Sequence, residues 1–382
     1  MRTASAPSFD TLEKLSRSAD ADLTRRALIP AQHIRGRGAQ NNVSGRFEVE
    51  KVVRFDDGWA NEDPLPPFET VEHIERARSI ISRNQSPDVG FDRSVNPYRG
   101  CEHGCAYCYA RQTHAYIGLS AGIDFEKEIY VKVNAADELR RELSHPKYTC
   151  KPVAIGTNTD PYQPIERQRK IMRGLLEVFL ETKHPVTITT KSALIVRDLD
   201  LLTALARLNL VSVALSITTL DHKLSNKLEP RAASPARRLE ALKLLCEAGV
   251  PTMVMVAPII PAVNDAELER ILDAAAAQGA KGAAMILLRL PGEVRDIFCE
   301  WLLRHFPDRL RHVMNLVRNT RSGRDNDPKF RSRMRGDGPY AIMLRQRFEK
   351  AMARNGMDKK AEILRTDLFE GPKVEDKQLN LF

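Results

Sequence analysis

Asn96-Pro97-Tyr98-Arg99-Gly100-Cys101-Glu102-His103-Gly104-Cys105-Ala106-Tyr107-Cys108-Tyr109 sets three cysteines in the spacing CxxxCxxC. A four-iron cluster normally takes four thiolates, as does a sealed structural zinc, so a three-cysteine loop leaves one metal corner open to an outside ligand. An open corner points to chemistry rather than scaffolding. Two closed alternatives stand beside this reading. One is a Cys3His zinc site with His103 or His114 as fourth ligand; the other is a ferredoxin-like cluster completed by Cys150, Cys246 or Cys299. Cys246 shares a helical face with Leu239, Leu242 and Leu245, which reads as core.

The spacing, with Tyr107 directly before the third cysteine, resembles the cluster loop of the radical S-adenosylmethionine (SAM) superfamily. The resemblance implies that Cys101, Cys105 and Cys108 hold a [4Fe-4S] cluster whose fourth iron binds SAM. One electron from the cluster then cleaves the sulfonium to methionine and a 5'-deoxyadenosyl radical, while the protein positions the cofactors and excludes quenching reactions. A flavodoxin- or ferredoxin-like electron donor is implied as a partner.

At 382 residues the chain suits one large domain with additions, or two domains. No run of 18 apolar residues exists, which excludes a transmembrane helix on length and argues against a membrane partner. Residues 1–22 are polar and lack the apolar region of a secretory leader, so a cytoplasmic protein with reduced thiols is expected. Residues 301–356 carry fourteen Lys and Arg against five acids, which accounts for the whole net charge of +9. Such a segment attracts a polyanion such as nucleic acid, or forms a solvated helix face.

Residues 1–66 mix charges and turn formers and read as a flexible or loosely attached arm, in which Arg35-Gly36-Arg37-Gly38 suits phosphate contacts or a linker. From Phe68 the spacing of Val71, Ile74, Ala77, Ile80 and Ile81 predicts an amphipathic helix leading into a strand at 91–95. Further strands are expected at 153–156, 186–190, 211–217, 252–257 and 283–288. Helical patterns fill 166–182, 194–207, 235–248, 265–278 and 293–305. These make six βα units, and right-handed crossovers curl them into an α/β partial (β/α)6 barrel over 67–306. A basic, mainly helical C-terminal extension follows at 307–370, then a flexible tail at 371–382.

Functional residues of βα barrels collect at the C-terminal ends of strands. The second strand ends in a polar loop, Gly156 to Glu166, where Asp160 is placed for the SAM ammonium. The third delivers Lys191 for the SAM carboxylate, and the fourth Ser216 for the ribose or amino group. The fifth delivers Ala257, small enough to admit the adenine. Together with Tyr107, the later pieces Thr190-Lys191, Ser216-Ile217, Glu229-Pro230, Ser234-Pro235, Arg238 and Val256-Ala257-Pro258-Ile259 resemble the spore photoproduct lyase-like branch of the superfamily. In that branch the lysine and serine contact SAM. The lyase itself uses a cysteine at the end of its second strand to return a hydrogen atom; this chain has Gly156-Thr157 there.

The expected function is hydrogen abstraction by a radical SAM enzyme, with nucleic acid as substrate in a DNA repair-like role. Radical modification of a protein or small molecule is the second reading, and a non-catalytic nucleic-acid-binding protein with a structural metal the third. The last residues, Gln378-Leu379-Asn380-Leu381-Phe382, resemble the QLxLF peptides that dock bacterial repair and replication proteins on the DNA sliding clamp. Gln378, Leu379, Leu381 and Phe382 would make that contact.

Overall fold

The computed structural model describes residues 36–42, 46–47, 69–357 and 363–372. The tail motif at 378–382 lies outside them. Among the described residues ten strands form two sheets: β1 (Val71–Glu75), β2 (Ile81–Arg83), β3 (Arg93–Val95), β4 (Tyr98–Arg99), β5 (Glu128–Lys132), β6 (Val153–Ile155), β7 (Val186–Thr190), β8 (Val211–Ser216), β9 (Thr252–Ile259) and β10 (Gly282–Leu287).

The larger sheet has the order β10-β9-β8-β7-β6-β3-β2. From β3 to β10 neighbours are parallel and follow chain order, the arrangement that six successive right-handed βα units produce. Helices Ile171–Glu181, Leu199–Arg207, Pro235–Glu247 and Leu268–Ala277 return the chain between strands. Their apolar faces meet the sheet in one core that includes Phe179, Leu205, Leu242 and Ile271. Ser234 caps the third of these helices by accepting from Arg237 N, and Pro235 opens its first turn. The expected helix at 166–182 is broken at Lys170, whose φ of 53° starts a new helix at Ile171.

The expected amphipathic helix after Phe68 does not form. Its residues make β1, parallel to β5, and β2, antiparallel to β3. Backbone groups between β1 and β2 and at the start of β2 find partners from outside: Asn134 accepts from Ala77 N at 2.9 Å and donates to Ala77 O at 2.9 Å, and Glu142 accepts from Ile81 N at 3.2 Å. With β-branched residues already weak helix formers, these partners decide the conformation. A second sheet, β1-β5-β4, results.

Residues 37–41, assigned by sequence to a loosely attached arm, are buried instead. They form a strap between the layer that carries the cysteines and helix Val294–His305, which follows the last strand. Ala39 packs with Ala121, Ile123 and Ile297. Asn42 and Asp124 exchange hydrogen bonds, and Asn41 donates to Glu300 at 2.6 Å. Farther along, Arg46 forms a bidentate pair with Glu293.

The division expected at 306/307 crosses a single apolar cluster. Phe298, Trp301 and Leu302 share it with Val313, Met314 and Val317, and the same cluster contains Cys105, Ala106 and Tyr107. Helix Leu310–Asn319 thus helps to back the cysteine loop. The basic segment is less bare than its composition suggests, because Arg318, Arg333, Arg347 and Arg354 pair with Asp325, Asp88, Glu269 and Asp273. Three of those acids come from outside the segment.

Burial pushes the Glu300 carboxyl up to about 7, opposed by Arg304 and by the Asn41 bond. Because its folded value lies above its ordinary 4.5, the folded protein holds the extra proton between pH 4.5 and 7, so this group's stabilisation is lost as pH rises through that window. Glu300→Gln keeps an acceptor for Asn41 and removes the titration. Thermal melts should show the variant more stable than the parent at pH 8, by about 1 to 3 kcal/mol, with little gain at pH 5.

Candidate functional site

The cysteine loop has almost no regular structure, so its backbone groups need partners from elsewhere. They come from every side. Cys101 N donates to Phe125 O at 2.8 Å, Glu102 N to the Gln163 side chain at 2.8 Å, and Ala106 N to Leu228 O at 3.0 Å. Gln163 also donates to Gly100 O at 3.2 Å, Arg111 donates to Cys105 O at 3.0 Å, and Arg231 N donates to His103 O at 3.3 Å. Glycine is required where the loop turns: Gly100 and Gly104 have φ of 78° and 65°.

The strap closes the loop's remaining flank. A side chain at Gly38 would place its Cβ 1.7 Å from Gly104 O, so only glycine permits this approach. Buried Glu126 joins the two segments, accepting from Gly38 N at 3.0 Å, Ala39 N at 2.7 Å and the Arg111 guanidinium. Nothing in the sequence marked Glu126, Arg111 or Gln163, since no local spacing distinguishes them from ordinary polar residues.

Inside the barrel rim a second buried carboxylate organises the expected cofactor residues. Glu229 accepts from Tyr107 Oη, from Thr218 Oγ1 at 2.6 Å and from the Arg238 guanidinium. Arg238 donates to Ser216 O at 3.0 Å, and Thr218 donates to Ala257 O at 3.3 Å. Lys191 Nζ lies 5.9 Å from the centre of the Tyr107 ring. Tyr107, Lys191, Ser216 and Ala257 are therefore gathered around one hub. Burial alone would raise the Glu229 carboxyl, but Arg238 and Lys191 hold it at about 2.

Asp160 stands apart from that hub. Its oxygens accept from Thr190 Oγ1 at 2.6 Å, Lys191 N at 2.7 Å and Tyr162 N at 2.9 Å, with His103 Nδ1 at 3.3 Å. These interactions hold its carboxyl at about 2 against the desolvation of burial. A carboxylate engaged in this way braces Lys191 relative to the loop.

The residue set fits a four-iron cluster. The three cysteines are free thiols. Desolvation pushes Cys101 well up and Cys105 to about 12, where Glu229 adds to the rise and Lys191 opposes it. Thiols this buried ionise only against a strongly positive centre, which iron supplies. Among the described residues no three His, Cys, Asp or Glu are placed to hold one ion; thiolates on separate irons need not converge. His114, a possible zinc ligand by sequence, faces Glu128 O at 3.1 Å and the edge of Phe125. Cys299 is a core residue beside Trp301.

At Gly156, just past the end of β6, the backbone itself excludes a cysteine. Gly156 has φ of 85°, and a Cβ there would meet Thr189 O at 2.0 Å. Thr157 receives a hydrogen bond from Asn96 at 3.1 Å and accepts at its carbonyl from Tyr109. Cys150 precedes β6 and so lies toward the opposite end of the strand.

The family model described as the radical SAM superfamily matches residues 95–275. An uncharacterised protein of Mycobacterium tuberculosis is 38% identical over 247 residues, covering 64% of this chain and 72% of that one. An isomerase of Pseudomonas phage M6, named radical SAM Nalpha-GlyT isomerase, is 28% identical over 172 residues, which cover 44% of this chain and 33% of the isomerase. Among solved structures, a spore photoproduct lyase variant with bound AdoMet and dinucleoside spore photoproduct shares the fold. Its TM-score is 0.53 at 15% identity, covering 74% of this chain and 79% of the lyase.

The buried Arg238–Glu229 pair offers a direct test of the hub. Arg238→Met leaves the carboxylate without its cation and should destabilise the protein by about 3 to 5 kcal/mol in denaturant titrations. Adding Glu229→Gln should restore much of that loss, because the orphaned charge is then gone.

Proposed function

This chain belongs to the radical SAM superfamily, and on that premise we propose that Cys101, Cys105 and Cys108 hold its [4Fe-4S] cluster while Tyr107, Lys191, Ser216 and Ala257 form the SAM cradle. The observation that carries the proposal is their meeting: the three-cysteine loop and the ends of β7, β8 and β9 converge on Glu229. When bound, the cluster and SAM supply a 5'-deoxyadenosyl radical for hydrogen abstraction.

The chain's own groups orient that cofactor. Lys191 offers the cation for the SAM carboxylate, with its backbone fixed by Asp160. Ser216, its carbonyl held by Arg238, faces the ribose or amino group. Small Ala257, tied through Thr218 to the hub, leaves room for the adenine. Tyr107 directs its hydroxyl to Glu229 and so sets the third cysteine beside the cradle.

We assign the substrate to nucleic acid in a repair-like reaction. The support is the shared fold with a lyase that binds a dinucleoside photoproduct, and docking on a sliding clamp through Gln378, Leu379, Leu381 and Phe382 belongs to the same reading. Reversal of the spore photoproduct with a cysteine at the end of the second strand is set aside, since Gly156 admits no side chain. Residues 307–370 enter as a helical extension of the barrel.

Anaerobic reconstitution should give close to four irons per chain by the cluster assignment, and dithionite should drive SAM to 5'-deoxyadenosine, with DNA raising the yield. Changing all three loop cysteines to Ala should abolish both iron binding and cleavage. Cys246→Ala should keep both and cost only about 1 kcal/mol of packing. Retention of iron and cleavage without the loop cysteines would refute the assignment.

Lys191→Ala should leave the cluster's absorption and EPR spectra unchanged. Its SAM affinity should drop roughly ten- to a hundredfold, the worth of a charge-assisted contact of about 1.5 to 3 kcal/mol. Unchanged affinity would remove Lys191 from the cradle.

A further inference from the structure

A surface cavity of about 380 Å³ opens beside the cysteine loop, and His103, Tyr162, Arg167, Arg197, Arg231 and Arg237 are among its lining residues. Four of the lining residues are arginines and none is acidic. The acids that position two of them sit behind the wall. Arg197 is held by Glu166 and Asp198, whose side chains are fully buried, and Arg231 by Glu102, which is nearly so. Arg237 is exposed, with Glu240 3.8 Å away. Arg167 is exposed too and has no carboxylate partner among the described residues. Arg167 and Arg237 thus show their charge to solvent, while the carboxylates that hold Arg197 and Arg231 are buried behind the wall.

Its position gives that charge a purpose. His103 lies between Cys101 and Cys105, and Arg231 N donates to its carbonyl, so whatever fills the cavity touches the frame of the cysteine loop. Tyr107, Lys191, Ser216 and Ala257 do not line it. Substrate must meet a radical formed at those four residues, whereas a source of electrons needs only closeness to the loop.

We infer that this cavity docks the acidic face of a small one-electron carrier protein, of the flavin or iron–sulfur type. The inference rests on the proposed function, in which each reductive cleavage draws one electron from outside. The reduced carrier loses one electron and the protein's iron–sulfur centre gains it; no bond is made or broken and no atom changes hands in that step. Cations in front of buried counterions steer an acidic partner at a distance and then fix its register.

The test is the double charge reversal Arg167→Glu/Arg237→Glu in the full chain, at two side chains outside the cofactor cradle. SAM cleavage is measured with flavodoxin, its reductase and NADPH, and separately with dithionite. The affinity of flavodoxin itself is titrated in parallel. The expected result is a tenfold or greater fall in both the flavodoxin-driven rate and flavodoxin affinity at low salt, with the dithionite-driven rate unchanged. For the parent, added KCl should depress the flavodoxin-driven rate alone. Equal loss of both rates, or no loss of either, overturns the inference. So does a fall in single-stranded oligonucleotide affinity with the flavodoxin-driven rate preserved, which would give the cavity to nucleic acid. A parent that cleaves no SAM with dithionite would refute the proposed function itself, and the docking role would fall with it.

Discussion

The Glu229 carboxylate, buried with Arg238 and shared by Tyr107 and Thr218, is the interaction on which the site depends. A charge taken out of water at such cost persists only where its partners are fixed, and here those partners are the parts that must be aligned. Tyr107 belongs to the cysteine loop. Thr218 follows β8 and reaches across to β9 through Ala257, and Arg238, in the first turn of helix Pro235–Glu247, holds the Ser216 carbonyl. One buried anion thus ties the loop to the rim of the sheet without touching a cysteine.

The loop needs that external order because it makes little of its own. Two glycines at positive φ and a run of unpaired backbone groups would leave it mobile, and Gln163, Arg111, Leu228 and the Gly38 strap supply the missing partners. The strap also joins the cysteine layer to helix Val294–His305, and so ties the first βα unit to the last. A partial barrel leaves those two units without a shared strand pair, which makes a side-chain bridge the available connection.

Charge in this protein is best read by what stands behind it. The basic segment from 301 to 356 carries the whole net charge, yet four of its arginines are matched by acids, three of them remote in sequence. Around His103 the balance differs: the counterions of Arg197 and Arg231 are buried, and Arg167 and Arg237 face water. Composition located positive charge in the chain, while the fold decided which part of it a partner would feel.

By itself the sequence determined the six strands of the barrel and their order, because buried parallel strands alternating with amphipathic helices leave a local signature. It also located the cysteine loop and the strand ends carrying Lys191, Ser216 and Ala257, since motifs and element ends are local too. Only the tertiary structure decided the rest. Residues 71–83 have a helical spacing, but β5, Asn134 and Glu142 offered their backbone better partners. Gly38 looked like part of an arm until Gly104 came within reach of it, and that Asp160 also braces Lys191 appears only from its bonds to Thr190 and Lys191. Hydrophobic period is written over a dozen neighbouring residues, whereas the partner of a buried polar group is chosen from across the whole chain.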